Sequence, residues 1–205
     1  MKKISVLGAT GSVGINTLKI IAYNKNKYNV IALTSYKNYK KLAKLALMFN
    51  CKYAVIGKKK YFRDLKEELF GSNIKCLAGY QAICEVSSLS VDILISAIVG
   101  IAGLKPTFAG IGKAKILAIA NKESVISAGS LLLKKAKLKK TKIIPLDSEH
   151  NAIYQILQNE NKSSIKNIVL TASGGPFLKM NKKNFKNITV ADALKHPNWK
   201  MGKKI

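Results

Sequence analysis

A glycine-rich loop after the first apolar run is the feature that most constrains the fold of this chain. Lys3–Leu7 predicts a strand, and the loop Gly8–Gly14 (GATGSVG) leads straight into a predicted helix, Gly14–Tyr23. In that position the first glycine permits a tight turn, the second lets the backbone approach a pyrophosphate, and the third lets helix and strand pack closely. The helix N-terminus adds free N–H groups and a partial positive charge. The motif therefore predicts a dinucleotide site, the alternative being a glycine turn without a ligand.

Short apolar runs then alternate with longer amphipathic runs as far as Pro145. Further strands are predicted at Tyr28–Thr34, Tyr53–Ile56, Val91–Ser96, Ile116–Ala120 and Lys142–Pro145. The helices between them are predicted at Tyr39–Phe49, Tyr61–Phe70, Leu104–Ile111 and Val125–Ala136. Strands that alternate with helices indicate βαβ units, and continuous apolar strands are typical of a parallel sheet covered on both faces. The predicted class is α/β, with a Rossmann-like domain over residues 1–146.

The pattern changes after Pro145. Asp147–Gln158 predicts a loop into a helix, Ile165–Thr171 a strand, and Thr189–Leu194 a short helix. We find no element that would close a fold in these residues. Residues 147–205 are therefore expected to be the first part of a second, α/β domain that is cut short.

The charge of the chain is strongly positive, with 36 Lys+Arg against 10 Asp+Glu and a formal net charge of +26. Such a charge suggests nucleic acid or an anionic membrane surface as a partner. However, Arg63 is the only arginine, and the lysines are spread along the whole chain. Proteins that bind phosphates or base edges in nucleic acids usually rely on the bidentate fork of arginine. We therefore expect solvated lysines, with neither nucleic acid nor membrane as a partner.

The three cysteines are Cys51, Cys76 and Cys84, an odd number without the spacing of metal ligands. They predict free thiols in a reduced, cytoplasmic setting. No apolar segment of a signal peptide precedes the first strand. The apolar stretch Val91–Ala102 is too short to cross a bilayer.

The residues after the second predicted strand indicate which dinucleotide is bound. Proteins that bind NAD typically place an acid there, on the ribose 2′-hydroxyl. Here the residues are Ser35, Tyr36, Lys37 and Asn38, and the first acid of the chain is Asp64. A cation without a nearby acid favours a 2′-phosphate, and so NADP, with Lys37 and Asn38 as the discriminating residues. The alternative for Lys37 is one more solvated lysine.

Acids are scarce, so those that follow predicted strands are informative. Ala120–Ser124 (ANKES) follows one strand and Asp147–Asn151 (DSEHN) another. In extended backbone Asp147 and Glu149 would point the same way. Two hard oxygen ligands on one side suit Mg²⁺ or Mn²⁺. His150 is expected to point elsewhere, and Lys122 could face a substrate phosphate or hydroxyl. The alternative for the two acids is a helix N-cap with an acidic first turn.

Two later motifs carry further candidates. Ser173–Phe177 (SGGPF) could cradle an anion with its backbone N–H groups and the Ser173 hydroxyl, or be a plain turn. His196–Trp199 (HPNW) holds the only tryptophan, which is either a lid over a ligand or an anchor on the core.

Taken together, these motifs resemble the 1-deoxy-D-xylulose 5-phosphate reductoisomerase family, an enzyme family of the non-mevalonate isoprenoid pathway. The matching segments occur in one order along the chain: Gly8–Gly14 (GATGSVG), Ala97–Gly103 (AIVGIAG), Ala120–Ser124 (ANKES), Asp147–Ile153 (DSEHNAI), Ser173–Phe177 (SGGPF) and His196–Ile205 (HPNWKMGKKI). Each segment alone is weak evidence, whereas the ordered set is highly specific.

The resemblance implies a role for each candidate residue. The residues expected to bind NADPH are Thr10, Gly11, Ser12 and Val13 on the pyrophosphate, Lys37 and Asn38 on the 2′-phosphate, and Asn121 and Glu123 on the nicotinamide half. Asp147 and Glu149 would bind the divalent metal, Mg²⁺ or Mn²⁺. The residues expected at the substrate are Lys122, Ser148, Glu149, Ser173, His196 and Trp199, the last two on a flap. Lys122, Asp147, Glu149 and His196 would be the catalytic residues.

The resemblance also implies a reaction. The family rearranges the carbon skeleton of 1-deoxy-D-xylulose 5-phosphate with a metal ion, then reduces the product with NADPH to 2-C-methyl-D-erythritol 4-phosphate. It is homodimeric, and its chain continues into a third metal-binding carboxylate and a helical domain. We therefore expect residues 147–205 to be the start of the catalytic domain, and this chain to bind NADPH without turning over alone. The alternatives are an NADPH-binding remnant and, less favoured, a basic nucleic-acid-binding protein. Tyr36 departs from the family, which often has a small residue there.

Overall fold

The computed structural model describes residues 1–158, 162–171 and 174–195. The chain divides into two compact units, Met1–Glu160 and Asn161–Ile205. No helix among the described residues is long and apolar enough to cross a membrane.

The first unit is built on one parallel sheet of seven strands, in the order β4-β3-β2-β1-β5-β6-β7. The strands are β1 (Lys2–Leu7), β2 (Tyr28–Ser35), β3 (Tyr53–Ile56), β4 (Lys75–Ala78), β5 (Val91–Ser96), β6 (Ala114–Ile119) and β7 (Lys142–Pro145). The order reverses between β1 and β5, and the crevice at such a reversal is where α/β sheets bind ligands. The predicted Rossmann-like α/β class is confirmed.

Helices connect these strands and cover both faces of the sheet. They are α1 (Ser12–Tyr23), α2 (Tyr39–Phe49), α3 (Phe62–Glu68), α4 (Tyr80–Ser87), α5 (Leu104–Gly110) and α6 (Lys122–Leu138), with α7 (Ser148–Leu157) after β7. The predicted strands and helices are all present in this unit, with ends shifted by up to three residues. The sequence analysis missed β4 and α4.

The core lies in layers on the two faces of the sheet. On one face, Val6 of β1 packs in a cluster with Leu18 of α1 and Leu42 of α2. On the other face, Leu7 of β1 packs in a cluster with Leu132 of α6. Successive residues of β1 thus point to opposite, equally buried sides, which explains why the strands are continuous apolar runs.

The second unit carries little regular structure in its described residues. A 3₁₀ helix spans Lys182–Asn187, and α8 spans Val190–Ala193 behind a capping box of Thr189 and Asp192. The predicted strand Ile165–Thr171 is wrong, because these residues form no strand. A strand needs a neighbour for its backbone hydrogen bonds, and the described part of this unit offers no strand to pair with; Val169 is 80% exposed.

Candidate functional site

The glycine loop lies between β1 and α1, and the fold itself demands two of its glycines. Gly8 has φ +78°, and a Cβ there would lie 2.5 Å from the Ala97 carbonyl oxygen. A Cβ on Gly14 would lie 2.4 Å from the Gly8 oxygen. Gly11 differs, because the nearest atom to a Cβ there is the Gly8 oxygen at 3.4 Å. Packing within the protein therefore does not require Gly11 to lack a side chain, whereas close approach of a ligand would.

Hydrogen bonds tie the same loop to the end of β2. The Gly8 N–H donates to Thr34 Oγ1 over 3.0 Å, and the Ala9 N–H to the Thr34 carbonyl over 2.8 Å. The hydroxyl oxygens of Thr10 and Ser35 are 2.8 Å apart. The N-cap of α1 is Gly11, which offers no side-chain cap, and the first turn holds no acid. The first N–H groups of α1, with the positive end of its dipole, are thus available to an anion.

A cavity of about 440 Å³ opens between this loop and the end of β5. We call it the cleft. Its walls are Gly8, Thr10, Gly11, Thr34, Ser35, Tyr36, Gly57, Tyr80, Ile83, Ala97, Ile98, Val99 and Ala102. It lies where the strand order reverses, so the predicted pyrophosphate loop borders the crevice that the topology creates.

Lys37 and Asn38 both lie exposed after β2. Asn38 is the N-cap of α2, and its Oδ1 accepts from the Lys41 N–H over 3.1 Å. The Lys41 Nζ reaches the Thr10 carbonyl oxygen over 3.4 Å. Lys41 is not among the site residues predicted from the sequence. Its position, three residues after an N-cap asparagine, could have placed it in the first turn of α2, but 35 lysines hid that signal.

Asn121 is buried at the end of β6, where it joins α6 to the loop after β5. Its Oδ1 accepts from the N–H and the hydroxyl of Ser124, so that it caps α6. Its Nδ2 donates to the carbonyls of Ile98 (2.7 Å) and Gly100 (2.9 Å) and to Glu123 (3.0 Å). Glu123 also accepts from the Gly100 N–H over 3.2 Å. The structure therefore gives this pair a positioning role on the loop that follows β5.

Lys122 and Asp147 are brought together because β6 and β7 are adjacent parallel strands, with Ile119 paired to Pro145. The Lys122 Nζ lies 2.7 Å from Asp147 Oδ2, and the Asp147 side chain is 15% exposed. The hydrogen bond from Lys122 lowers the pKa of Asp147, and the same bond raises the pKa of Lys122. Both groups are therefore held in their charged forms at neutral pH.

The metal-ligand geometry expected from extended backbone is corrected in part. Asp147 is the N-cap of α7, and Ser148 and Glu149 already belong to its first turn, both exposed. The Glu149 carboxyl still lies near that of Asp147. The expectation for His150 is wrong: three residues into the helix, its Nδ1 turns back to lie 3.3 Å from Asp147 Oδ1.

These donors do not enclose a cation by themselves. Among residues 1–158, 162–171 and 174–195, no three His, Cys, Asp or Glu side chains converge closely enough to hold a metal ion. Asp147 and Glu149 nevertheless present neighbouring carboxylates, the hard oxygen donors that Mg²⁺ and Mn²⁺ prefer. They fit such an ion as part of its ligand set.

The remaining predicted residues, Ser173, His196 and Trp199, lie outside the described residues. Beside Ser173, both Gly174 (φ +76°) and Gly175 (φ +69°) adopt the left-handed conformation that glycine tolerates. The backbone after Ser173 therefore turns tightly.

Comparisons with known proteins give a consistent result. The family model described as 1-deoxy-D-xylulose 5-phosphate reductoisomerase matches residues 4–129, and that of its C-terminal domain matches residues 143–205. The enzyme of that name from Wolbachia pipientis subsp. Culex pipiens (strain wPip) is 51% identical over the whole chain. The one from Zymomonas mobilis is 45% identical, again over the whole chain. The chain spans about half the length of these relatives, 52% and 53%.

Solved structures agree in fold. The Zymomonas mobilis reductoisomerase in complex with NADPH matches 96% of this chain and 52% of its own, with a TM-score of 0.91 and 43% identity. A DOX-P reductoisomerase in complex with NADPH, fosmidomycin and magnesium matches 99% of this chain and 53% of its own, with a TM-score of 0.90 and 39% identity.

Proposed function

Since the chain belongs to the 1-deoxy-D-xylulose 5-phosphate reductoisomerase family, we propose that it binds NADPH in the cleft and contributes two carboxylates to a divalent-metal site. The reaction is the metal-dependent rearrangement of 1-deoxy-D-xylulose 5-phosphate and the NADPH-dependent reduction to 2-C-methyl-D-erythritol 4-phosphate. In this proposal residues 1–146 are the cofactor domain, and residues 147–205 are the first part of the catalytic domain.

The observation that carries the proposal is the glycine loop at the strand-order reversal. The fold accounts for Gly8 and Gly14, while Gly11 faces the cleft without a packing reason to lack a side chain. The backbone N–H groups of Ser12 and Val13, with the hydroxyls of Thr10 and Ser12, are suited to hold a pyrophosphate at the start of α1 beside Gly11. Related proteins solved with NADPH have this fold.

Selection of NADPH over NADH is assigned to the end of β2. An acid would repel a 2′-phosphate there, but the residues are Tyr36, Lys37 and Asn38. The Oδ1 of Asn38 accepts the hydrogen bond that caps α2. Its amide N–H groups can still donate to a phosphate oxygen.

The metal is assigned to Asp147 and Glu149, whose neighbouring carboxylates supply hard oxygen donors. Lys122 holds Asp147 in its ionised form, the form that binds a metal. Its ammonium carries three N–H donors, of which one suffices for Asp147, so another can reach a substrate oxygen. Asn121 and Glu123 fix the loop after β5 beside the nicotinamide half.

The chemistry requires both bound groups. NADPH supplies a hydride, and the divalent cation supplies Lewis acidity that polarises the carbonyl and hydroxyl oxygens of the sugar phosphate. Lys122 and Ser148 orient the substrate. Ser173, His196 and Trp199, which the family resemblance assigns to the substrate, lie outside the described residues.

Direct binding tests the first half of the proposal. Titration of the chain with NADPH, followed by the fluorescence of the reduced nicotinamide, is expected to saturate, and NADH is expected to bind more weakly. Gly11→Val, which fills the pyrophosphate approach, is the loss-of-binding control. Absence of saturable NADPH binding by folded chain would overturn the proposal.

Turnover tests the second half. NADPH oxidation is measured with Mn²⁺ and 1-deoxy-D-xylulose 5-phosphate, in the chain as it is and with the substitution Asp147→Asn. Because only two carboxylates adjoin at the metal position in the described part of the chain, we expect binding of NADPH without appreciable oxidation by the chain alone. Robust oxidation by the chain alone, abolished in Asp147→Asn, would instead make it a complete catalyst.

The partners and setting follow from the same proposal. The ligands are NADPH, Mg²⁺ or Mn²⁺ and a phosphorylated sugar, in a homodimer, with neither nucleic acid nor a membrane as partner. The thiols of Cys51, Cys76 and Cys84 are all free, which supports a reduced, cytoplasmic location. A duplex-DNA titration serves as the control, and the expected result is no binding at physiological salt.

A further inference from the structure

The turn after β3 is fastened to the turn after β2 by backbone hydrogen bonds. The Gly57 N–H donates to the Ser35 carbonyl and the Lys58 N–H to the Tyr36 carbonyl, each over 2.8 Å. These bonds continue the parallel pairing of β2 with β3 beyond the ends of both strands. The positions of residues 36 and 58 relative to each other are therefore fixed by the backbone.

The two side chains at these positions touch. The Lys58 Nζ lies over the ring of Tyr36, 5.4 Å from its centroid, at the distance of a cation–π contact. The ring also packs on Gly57, where a Cβ would lie 3.0 Å from Tyr36 Cδ2. Tyr36 and Gly57 are both walls of the cleft. The ammonium of Lys58 is thus held at the rim of the cleft, over Tyr36, which directly precedes Lys37 in the chain.

The charge at this rim is uncompensated. Lys58 belongs to none of the ion pairs seen among the described residues, although it is only half-exposed. An aromatic ring attracts an ammonium without neutralising it. A cation held in place beside a ligand cleft, and not paired with an acid, is a site for an anionic group of the ligand.

We propose that Lys58 supplies a second positive charge for the 2′-phosphate of NADPH, beside Lys37, and that the Tyr36 ring is the residue that positions it. The inference rests on the proposed function and deepens it. It also gives a role to Tyr36, an exposed aromatic side chain in the wall of the cleft.

Lys58→Gln tests the charge, with Lys60→Gln as the matched control. The Lys60 Nζ makes the same kind of contact, 4.9 Å from the Tyr61 ring centroid. Unlike Tyr36, however, Tyr61 is not part of the cleft wall. The probes are NADPH, NADH, adenosine 2′,5′-bisphosphate and adenosine 5′-monophosphate, titrated against folded chain. Removal of one charge-assisted contact to a partly exposed phosphate is expected to weaken both 2′-phosphorylated ligands about tenfold, and the other two less than about twofold.

The outcomes separate the inference from the proposed function. If the unsubstituted chain prefers NADPH but Lys58→Gln leaves that preference unchanged, or weakens all four ligands equally, the inference is overturned and the proposed function stands. If Lys60→Gln has the same effect as Lys58→Gln, general positive charge is responsible and the inference again fails. If the unsubstituted chain does not bind NADPH, both fail.

Tyr36→Phe and Tyr36→Leu test the positioning role. Phenylalanine keeps the aromatic face and is expected to keep the ratio of the NADH and NADPH Kd values. Leucine removes the aromatic face, so the Kd for NADH divided by the Kd for NADPH is expected to fall about threefold. If Tyr36→Leu weakens the binding of adenosine 2′,5′-bisphosphate and of adenosine 5′-monophosphate equally, the ring acts on the adenine. That result overturns the positioning role.

Discussion

The carboxyl edge of the sheet has two sides that are built in different ways. On the glycine-loop side, at the ends of β1 and β2, backbone groups are joined to each other and to short hydroxyl side chains, as in the bonds from Gly8 and Ala9 to Thr34. On the acid side, at the ends of β6 and β7, long charged side chains contact one another, above all Lys122 and Asp147.

The two sides therefore differ in how firmly they are fixed in the absence of a ligand. Backbone hydrogen bonds and the close contacts of Gly8 and Gly14 fix the glycine-loop side before any ligand arrives. The acid side is held by charge pairs whose partners can change, because a divalent cation at the proposed metal position would compete for the same carboxylate oxygens. A rigid loop at the proposed cofactor position and an adjustable metal position are what the proposed reaction would require of one edge.

Gly14→Ala is expected to disturb the glycine-loop side more than any other single substitution considered for either side. The added Cβ would lie 2.4 Å from the Gly8 oxygen and 2.6 Å from Ala9 Cα, and these are backbone atoms that cannot rotate away. We expect a loss of about 3 to 4 kcal/mol in the free energy of unfolding, which outweighs a helix-propensity gain of about 1 kcal/mol. Urea unfolding followed by circular dichroism measures it.

Gly11→Ala is the control for that substitution. Its Cβ meets only the Gly8 oxygen, at 3.4 Å. The free energy of unfolding is expected to change by less than about 1 kcal/mol, while NADPH affinity falls. Equal destabilisation by both substitutions would mean that the loop is not held by the contacts described here.

Asn121→Ala is the next largest expected effect. It removes the cap of α6 and leaves the Ile98 and Gly100 carbonyls without their donor. Loss of these buried bonds is expected to cost about 2 to 3 kcal/mol in the free energy of unfolding. Asn121→Asp keeps the cap but sets a carboxylate against Glu123 and the two carbonyls. Its stability is therefore expected to fall as well, and native stability in that variant would show that the donor contacts contribute nothing.

Much of the glycine-loop side could be predicted from sequence because its signals are local. The loop lies between a strand and a helix, and the roles predicted for Gly8 and Gly14 agree with their contacts. By contrast, β4 (Lys75–Ala78) and α4 (Tyr80–Ser87) were missed, although elements as short, such as β3 and α5, were predicted. Only Gly79 separates β4 from α4, so no longer loop marks where the strand ends and the helix begins.

For the acid side, the position along the chain could be predicted from sequence, but the orientation of its side chains could not. The sequence placed Lys122 and Asp147 each at the end of a predicted strand, yet the orientation of His150 depends on where α7 begins. Because the helix starts at Ser148, residues three apart face each other, and an argument from extended backbone fails. The buried bonds of Asn121 depend on the loop after β5, which is distant in sequence.

Asp147→Asn tests whether charge holds the acid side together. Losing the ion pair with Lys122 is expected to cost about 1 kcal/mol near neutral pH. Because the folded pKa of Asp147 is lowered, its contribution is present above the unfolded pKa of about 3.9 and is lost as the pH falls through the folded value. The stability difference between the two proteins should therefore shrink in acid. A difference that stays constant with pH would contradict the ion pair.

The smallest expected effect compares one lysine from each side. Lys41 reaches the Thr10 carbonyl at 3.4 Å from an exposed position, a long contact to a neutral acceptor. Lys41→Gln is therefore expected to change the free energy of unfolding by less than about 0.5 kcal/mol, and Lys122→Gln by about 1 kcal/mol. Raising the salt concentration should reduce the effect of Lys122→Gln, since it rests on charge attraction, and leave that of Lys41→Gln unchanged. Equal losses in the two variants would mean that lysines stabilise both sides alike, and that the glycine-loop side is not independent of its cations.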